Sequence, residues 1–221
     1  MTTVVYFWKI PTRSIPYAFL SMALDRGRMR RIPGVTFAKM LGCGKGETFT
    51  PSDADVHRWG FLLCINESQI ETFDNSAMVK RWRKHSQEEF RVLLDPISSH
   101  GFWSKNQPFL PAEMIGPTDG MVVAITRARI AWRKNVSFWK AVPAVTESLL
   151  ASQGLIGAIG VGEAPVGLQG TFSLWESEES LKTFAFRSPA HKAAIQSTTR
   201  QKWFSEELFA RFSVKEIRGR L

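Results

Sequence analysis

An internal repeat constrains the fold of this chain more than any single motif. The same order of strand-like and helix-like segments occurs twice, with a glycine pair at the same place in each copy. The first copy begins with the apolar run Val4-Val-Tyr-Phe-Trp8 and a helical stretch from Ile15 to Arg31. Pro33-Gly34 breaks that helix, and strand-like Val35 to Leu41 runs into a glycine turn, Gly42-Cys-Gly-Lys-Gly46. A strand from Trp59 to Ile65, a helix from Ser68 to His85 and a last strand near Phe90 to Leu94 complete the copy. The second copy starts with strand-like Met121 to Ile125. A helix from Ser137 to Ser152 follows, with Phe138, Val142, Val145 and Leu149 at helical spacing. A strand from Leu155 to Ile159 ends in Gly160-Val-Gly162, and another covers Thr171 to Trp175. Helices from Glu178 to Phe186 and from Pro189, then a strand from Leu208 to Phe212, close the copy.

Each copy reads β-α-β-β-α-β, the ferredoxin-like order. The fold class is therefore α+β: two tandem ferredoxin-like repeats, residues 1–107 and 120–221, joined by a Pro-rich linker at 108–119. Each repeat forms an antiparallel sheet with helices on one face. The free sheet faces must be buried, and packing them together gives an α/β-barrel-like sandwich.

One helix start stands out chemically. Ser188 suits the N-cap, where its hydroxyl accepts an unpaired first-turn N–H, and Pro189 suits the first helical position. That puts His191 in the first turn, on a face continued by Ala194, Ile195 and Thr198, with Lys192, Gln196, Thr199 and Arg200 opposite. An inward imidazole beside small side chains is a ligand candidate; the alternative is a core histidine bonded to a carbonyl. The repeat supplies a control. Aligning Ser76-Ala-Met-Val79 on Ser188-Pro-Ala-His191 sets Val79 against His191, so the fold itself does not call for histidine there. His57 in a polar loop, His85 after a basic helix and His100 in the loop from Ser98 to Gly101 are the other histidines, each open as a second ligand or as an exposed side chain.

Composition narrows the function classes. The chain holds 8 Trp and 16 Phe but only 2 Tyr, so its interior is rich in flat apolar rings. No run approaches a membrane span, and no signal-peptide order opens the chain. Two cysteines, Cys43 and Cys64, are too few for a disulfide framework or a thiolate zinc site, and a reducing cytoplasm is the simplest setting. The net charge is +9, with basic clusters at Arg26 to Arg31, Lys80 to Lys84 and Arg127 to Lys134. Nucleic-acid binding is not indicated, because there is no zinc-finger spacing, ribonucleoprotein motif or basic arm. Solvated helix faces, an anionic membrane surface, a carboxylate-bearing cofactor and an acidic redox partner all remain as readings of the charge. Gly42-x-Gly-x-Gly46 is no phosphate loop, since no Walker lysine pattern follows.

Blocks along nearly the whole chain carry a family resemblance. Gly42 to Pro51, Thr126-Arg-Ala-Arg-Ile130, Phe138-Trp-Lys-Ala-Val-Pro-Ala-Val145 and Ile159-Gly-Val-Gly-Glu-Ala-Pro165 resemble segments of the spheroidene monooxygenase family. So do Thr171-Phe-Ser-Leu-Trp-Glu-Ser177, Phe184 to Ile195, and Trp203 to Phe212. The chain departs from the pattern at Cys43 and between Asp53 and Arg58. The resemblance implies a haem-dependent monooxygenase that hydroxylates an allylic carbon of an acyclic carotenoid, or another long apolar substrate, successively to a ketone. It uses O2 and two external electrons per step. It also implies a fold similar to the dimeric α/β-barrel haem proteins, which include chlorite dismutases and aldoxime dehydratases.

On that resemblance the cofactor is haem b and His191 is its iron ligand. Ala194 would let the macrocycle lie close to the helix, Arg187 is a candidate to pair a propionate, and Trp175 is either a core ring or a wall of the cofactor site. Arg127 and Arg129 alternate with Thr126 and Ala128 and so share one strand face, where they are catalytic candidates for polarising oxygen or pairing a propionate. Cys43 as a thiolate ligand is the competing assignment. No flavin or nicotinamide fingerprint is present, so the electrons come from an external donor such as an acidic ferredoxin. Peripheral contact with the inner membrane is one reading of the basic charge, and the two halves either close one barrel within a monomer or dimerise as relatives do. The alternatives are a haem enzyme of this fold with aldoxime dehydratase-like or peroxide-driven chemistry, and a non-catalytic haem-binding protein.

Overall fold

The structure, a computed structural model, describes residues 1–110, 119–130, 133, 135–164, 170–187 and 203–221, with the side chains of 135–137, 140, 141 and 187 outside the description. Eight strands close into one barrel, in the order β1-β3-β2-β6-β7-β5-β8-β4. They are β1 (Thr2–Lys9), β2 (Val35–Gly44), β3 (Ala54–Ile65), β4 (Glu88–Gly101), β5 (Val122–Ile130), β6 (Leu155–Gly162), β7 (Gly170–Trp175) and β8 (Phe204–Arg218). Five α-helices lie among the described residues: α1 (Ile15–Met29), α2 (Ile70–Asp74), α3 (Ala77–His85), α4 (Asn135–Leu150) and α5 (Glu178–Arg187). Each half has the ferredoxin-like strand order, β4-β1-β3-β2 and β8-β5-β7-β6, and every pairing is antiparallel.

The two sheets join at unequal seams. β4 and β8 pair from Arg91↔Arg218 to Gly101↔Leu208, whereas β2 and β6 pair only at Gly42↔Gly162 and Cys43↔Val161. The repeated glycines thus meet each other across the short seam. This differs from a glycine turn at 42–46, because β2 runs on to Gly44 and the turn starts at Lys45. Gly46 then needs a φ of +88°, and a Cβ there would run into the Ala158 carbonyl oxygen. Asp53 fastens this turn, its carboxylate accepting the backbone N–H groups of Gly46, Glu47 and Phe49.

Strands buried on both faces read as unbroken apolar runs. Val4 to Trp8 is such a run: Val5 and Phe7 point into the barrel, while Val4, Tyr6 and Trp8 point to the helix side. The barrel interior is filled by side chains from all eight strands, with Trp103 and Phe109 entering from the segment after β4. Ring contacts knit it together: Phe7 with Phe172 at 5.1 Å and Phe109 with Phe212 at 4.9 Å. Two strands extend beyond their apolar cores. β4 continues past Leu94 through a register shift near Pro96, so His100 lies in a strand opposite Phe209 rather than in a loop. His57 likewise lies in β3.

In place of one helix from Ser68 to His85, the first half has α2 and α3 separated at Asn75 and Ser76. Ser76 caps α3 by accepting the backbone N–H of Val79 at 3.3 Å. Val79 is fully buried, in the same layer as Tyr6, Trp8 and Phe61. A polar network pins this layer to the sheet. Tyr6 Oη donates to Asp74 at 2.5 Å, and Asp74 pairs at 2.5 Å with Arg91, itself buried and also paired with Glu216. Burial first, and then the hydrogen bond to Asp74, push the Tyr6 phenol well above its ordinary pKa.

Candidate functional site

The two halves differ most on the sheet face that the helices cover. In the first half, Tyr6, Phe61 and Met40 stand side by side across β1, β3 and β2, and Trp8 and Trp59 stand beside Gly42 in the next row. At the same register in the second half stand Ala124, Ser173 and Ala158, then Thr126, Thr171 and Gly160. Large rings are replaced by the smallest side chains at matching positions. The second sheet therefore offers a flat floor to the helices above it, where the first fills the layer with its own rings.

The described walls of that layer come from both halves. Leu149 of α4 and Leu181 of α5 are buried against Val122, Ala124 and Trp175. Trp175 is fully buried at one end of the floor. Its Nε1 donates to Ser173 Oγ at 2.9 Å, and its ring stacks on Phe184 at 5.4 Å. The turn after β2 reaches over from the first half: Phe49, at φ 54°, packs against this cluster, and Thr146 of α4 donates to the Thr48 carbonyl oxygen at 3.1 Å. Phe49 and Asp53 were not legible as site-forming residues, because their contribution depends on the β2–β6 seam.

A second polar constellation closes one end of the barrel interior. Lys39 and Arg127 are buried on inward faces. Lys39 donates to Glu163 at 2.5 Å and to Ser104 Oγ at 2.6 Å. Arg127 pairs with Glu163 at 3.0 Å and with Glu206. Trp103 Nε1 donates to Glu163 at 2.8 Å, and the backbone N–H groups of Ser104 and Lys105 donate to Glu206. Burial alone would raise both carboxyls. Hydrogen bonds from Lys39 and Trp103 outweigh it at Glu163, and those from Lys105, Ser104 and Arg127 outweigh it at Glu206, so both sit below the usual glutamate value.

The candidate residues separate in space. Arg127 follows Val123 and Ile125 into the barrel, so β5 stands between its guanidinium and the helix side. Arg129 lies two residues on along that face, at the exposed end of β5. Trp175 is on the helix side, in the layer above the floor. Arg187 is the last residue of α5, with its side chain outside the description. His191 and Ala194, with the helix expected from Pro189, lie outside the described residues. Of the other histidines, His85 stacks on Tyr17 at 3.8 Å, and His57 lies between Thr12 and Asp55. Cys43 is fully buried inside the barrel, and burial raises its thiol far above the ordinary range. Cys64 is pushed up to about 12 by the same cause. Among the described residues, no cluster of three or more His, Cys, Asp or Glu side chains forms a metal site.

This barrel of two ferredoxin-like repeats defines the class of protein. The chain is similar in fold to two aldoxime dehydratase crystal structures, one in complex with butyraldoxime, each at a TM-score of 0.57. Identity is 12% and 8%, over 97% and 96% of this chain and 81% and 79% of theirs. No known family profile matches the sequence. It is 36% identical over 212 residues to spheroidene monooxygenase of Rhodobacter capsulatus, covering 94% of this chain and 87% of that protein. The enzyme of the same name from Rubrivivax gelatinosus is 34% identical over 188 residues, covering 85% of this chain and 72% of the relative. That from Cereibacter sphaeroides is 33% identical over 196 residues, covering 87% of this chain and 60% of the relative. The chain belongs to the spheroidene monooxygenase family, and it is a monooxygenase, an oxidoreductase.

Proposed function

We propose that the protein is a haem-dependent enzyme that hydroxylates an allylic carbon of an acyclic carotenoid, successively to a ketone. It takes O2 and two electrons from an external donor at each step. The observation that carries the cofactor assignment is the small-residue floor of the second sheet. The small side chains Ala124, Ser173, Ala158, Thr126 and Thr171 stand in place of the first half's rings, which is the kind of floor a flat macrocycle would need. The barrel interior does not suit it, being occupied by packed side chains.

His191 is the proposed iron ligand, and the first half supports it by example. There, Ser76 caps α3 and sets Val79 inward over the sheet; the aligned Ser188 and His191 would set an imidazole over the floor in the same way. Haem held there supplies O2 activation. The chain's own residues hold and shield it. Ala194 would permit close approach of the ring, Arg187 would pair a propionate, and Trp175 with Phe184 would close the floor at one end. Phe49 and Leu149 add apolar cover that excludes water. Arg127 is committed to Glu163 and Glu206, which suits an anchor of the barrel end better than a group at the reacting atoms. Arg129, exposed at the end of β5, is better placed to meet the electron donor.

The test is purification with haem, followed by two variants. His191→Ala is expected to lose the Soret band. Ala124→Tyr with Ser173→Phe, which grafts the first half's rings onto the floor, is expected to block haem uptake while far-UV circular dichroism stays unchanged. A His191→Ala protein that keeps its haem spectrum unaltered would refute the ligand assignment. Product analysis in a host that makes acyclic carotenoids, with keto carotenoids expected only when the wild-type chain is present, tests the substrate.

A further inference from the structure

We propose that the outward face of α1, with the cationic edge of α3 beside it, docks on an anionic lipid bilayer. α1 is apolar on two sides. Ala18, Met22 and Met29 are buried toward the sheet. At 3.6 residues per turn, Pro16, Phe19, Leu20, Ala23, Leu24 and Gly27 share the other side. There Phe19, Leu20 and Leu24 are 42%, 60% and 48% exposed. The Phe19 ring meets the buried Trp59 in a T-shaped contact at 5.1 Å, so Phe19 borders the strip while Leu20 and Leu24 stand farther out.

Cations border this apolar strip. Arg26 and Arg28 in its last turns, with Arg30 and Arg31 just beyond, are exposed. Lys80, Arg81 and Lys84 are exposed on α3, which lies alongside through Arg81 and Asp25 at 3.6 Å. Asp25 is the sole carboxylate in either helix, and it is buried. A helix lying in the plane of a membrane interface has this form: large apolar side chains dip toward the acyl chains while flanking cations meet anionic headgroups. An acidic protein would answer the cations equally well. The three protruding apolar side chains between them favour the bilayer. The use of such docking rests on the carotenoid reading, since an apolar polyene dissolves in the bilayer; the docking itself does not.

The test is sedimentation of the full chain with vesicles of phosphatidylcholine alone and with an equal mixture of phosphatidylcholine and phosphatidylglycerol. The wild-type chain is expected to pellet with the mixed vesicles and much less with the neutral ones. Replacing Phe19, Leu20 and Leu24 together by Ser should weaken that binding about tenfold or more, with circular dichroism unchanged. Arg30→Gln with Arg31→Gln should weaken it most at low salt. A wild-type chain that stays in the supernatant with the mixed vesicles overturns the proposal. So does a triple-Ser variant that pellets like the wild type, since the apolar strip would then add nothing to what the cations do alone. No carotenoid or haem chemistry enters this assay, so its failure leaves the proposed reaction standing, and the reverse holds.

Discussion

Arg127 carries its guanidinium into the barrel between two carboxylates, and its Nε finds no hydrogen-bond partner among the described residues. Taking the guanidinium away leaves Glu163 and Glu206 facing only Lys39 and the local N–H donors. Breaking a wholly buried pair costs about 3–5 kcal/mol; Glu163 retains some solvent, so Arg127→Met should cost about 2–3 kcal/mol in urea unfolding. A cost near zero would mean that the network adds nothing to stability. The residue types were legible in sequence, as two arginines alternating on one strand face. Their surroundings were not, because Glu163 and Glu206 lie 36 and 79 positions from Arg127. Pairing across such separations depends on strand register, which local spacing does not specify.

The short β2–β6 seam depends on close backbone approach. Gly46 adopts a φ of +88° and lies against the Ala158 carbonyl. Gly46→Ala should therefore lower stability by more than the roughly 1 kcal/mol of a simple left-handed penalty, read as a drop in thermal midpoint. Hydrogen exchange at Cys43 and Val161 should rise in the same variant, since their pairing is half of this seam. An unchanged midpoint would show that the turn yields easily. At this scale most elements follow from patterning: apolar runs, a capped helix and glycines in repeated positions. Where the elements differ from that reading, the cause is non-local. β2 runs through Gly42–Gly44 because β3 pairs with all three and β6 with the first two, and β4 and β8 extend because each serves as the other's partner along the long seam. The floor of small residues shows only when the two halves are set in register. In sequence, Ala, Ser and Thr within a strand signal nothing by themselves.

The whole barrel is closed at one end by charges, and that gives it a pH dependence. Glu163 and Glu206 are held below the ordinary glutamate value. A carboxylate depressed in the folded state adds stability above its unfolded pKa and loses it as pH falls through the folded value. Stability should thus decline as pH drops below about 4, with Glu163→Gln flattening part of the decline in thermal midpoints measured across acid pH. An equally steep decline in Glu163→Gln would place the acid sensitivity elsewhere. No helix among the described residues is long and apolar enough to cross a membrane. The order of strands and helices and their duplication were set out by the sequence itself, because they depend on neighbours a few residues apart. Only the tertiary structure decided which face of each strand meets the barrel interior and which meets the helices. That choice places Arg127 on one side of β5 and the small-residue floor on the other. In strands buried on both sides, apolar residues occupy both faces, so no polar contrast marks the difference until the sheet closes on itself.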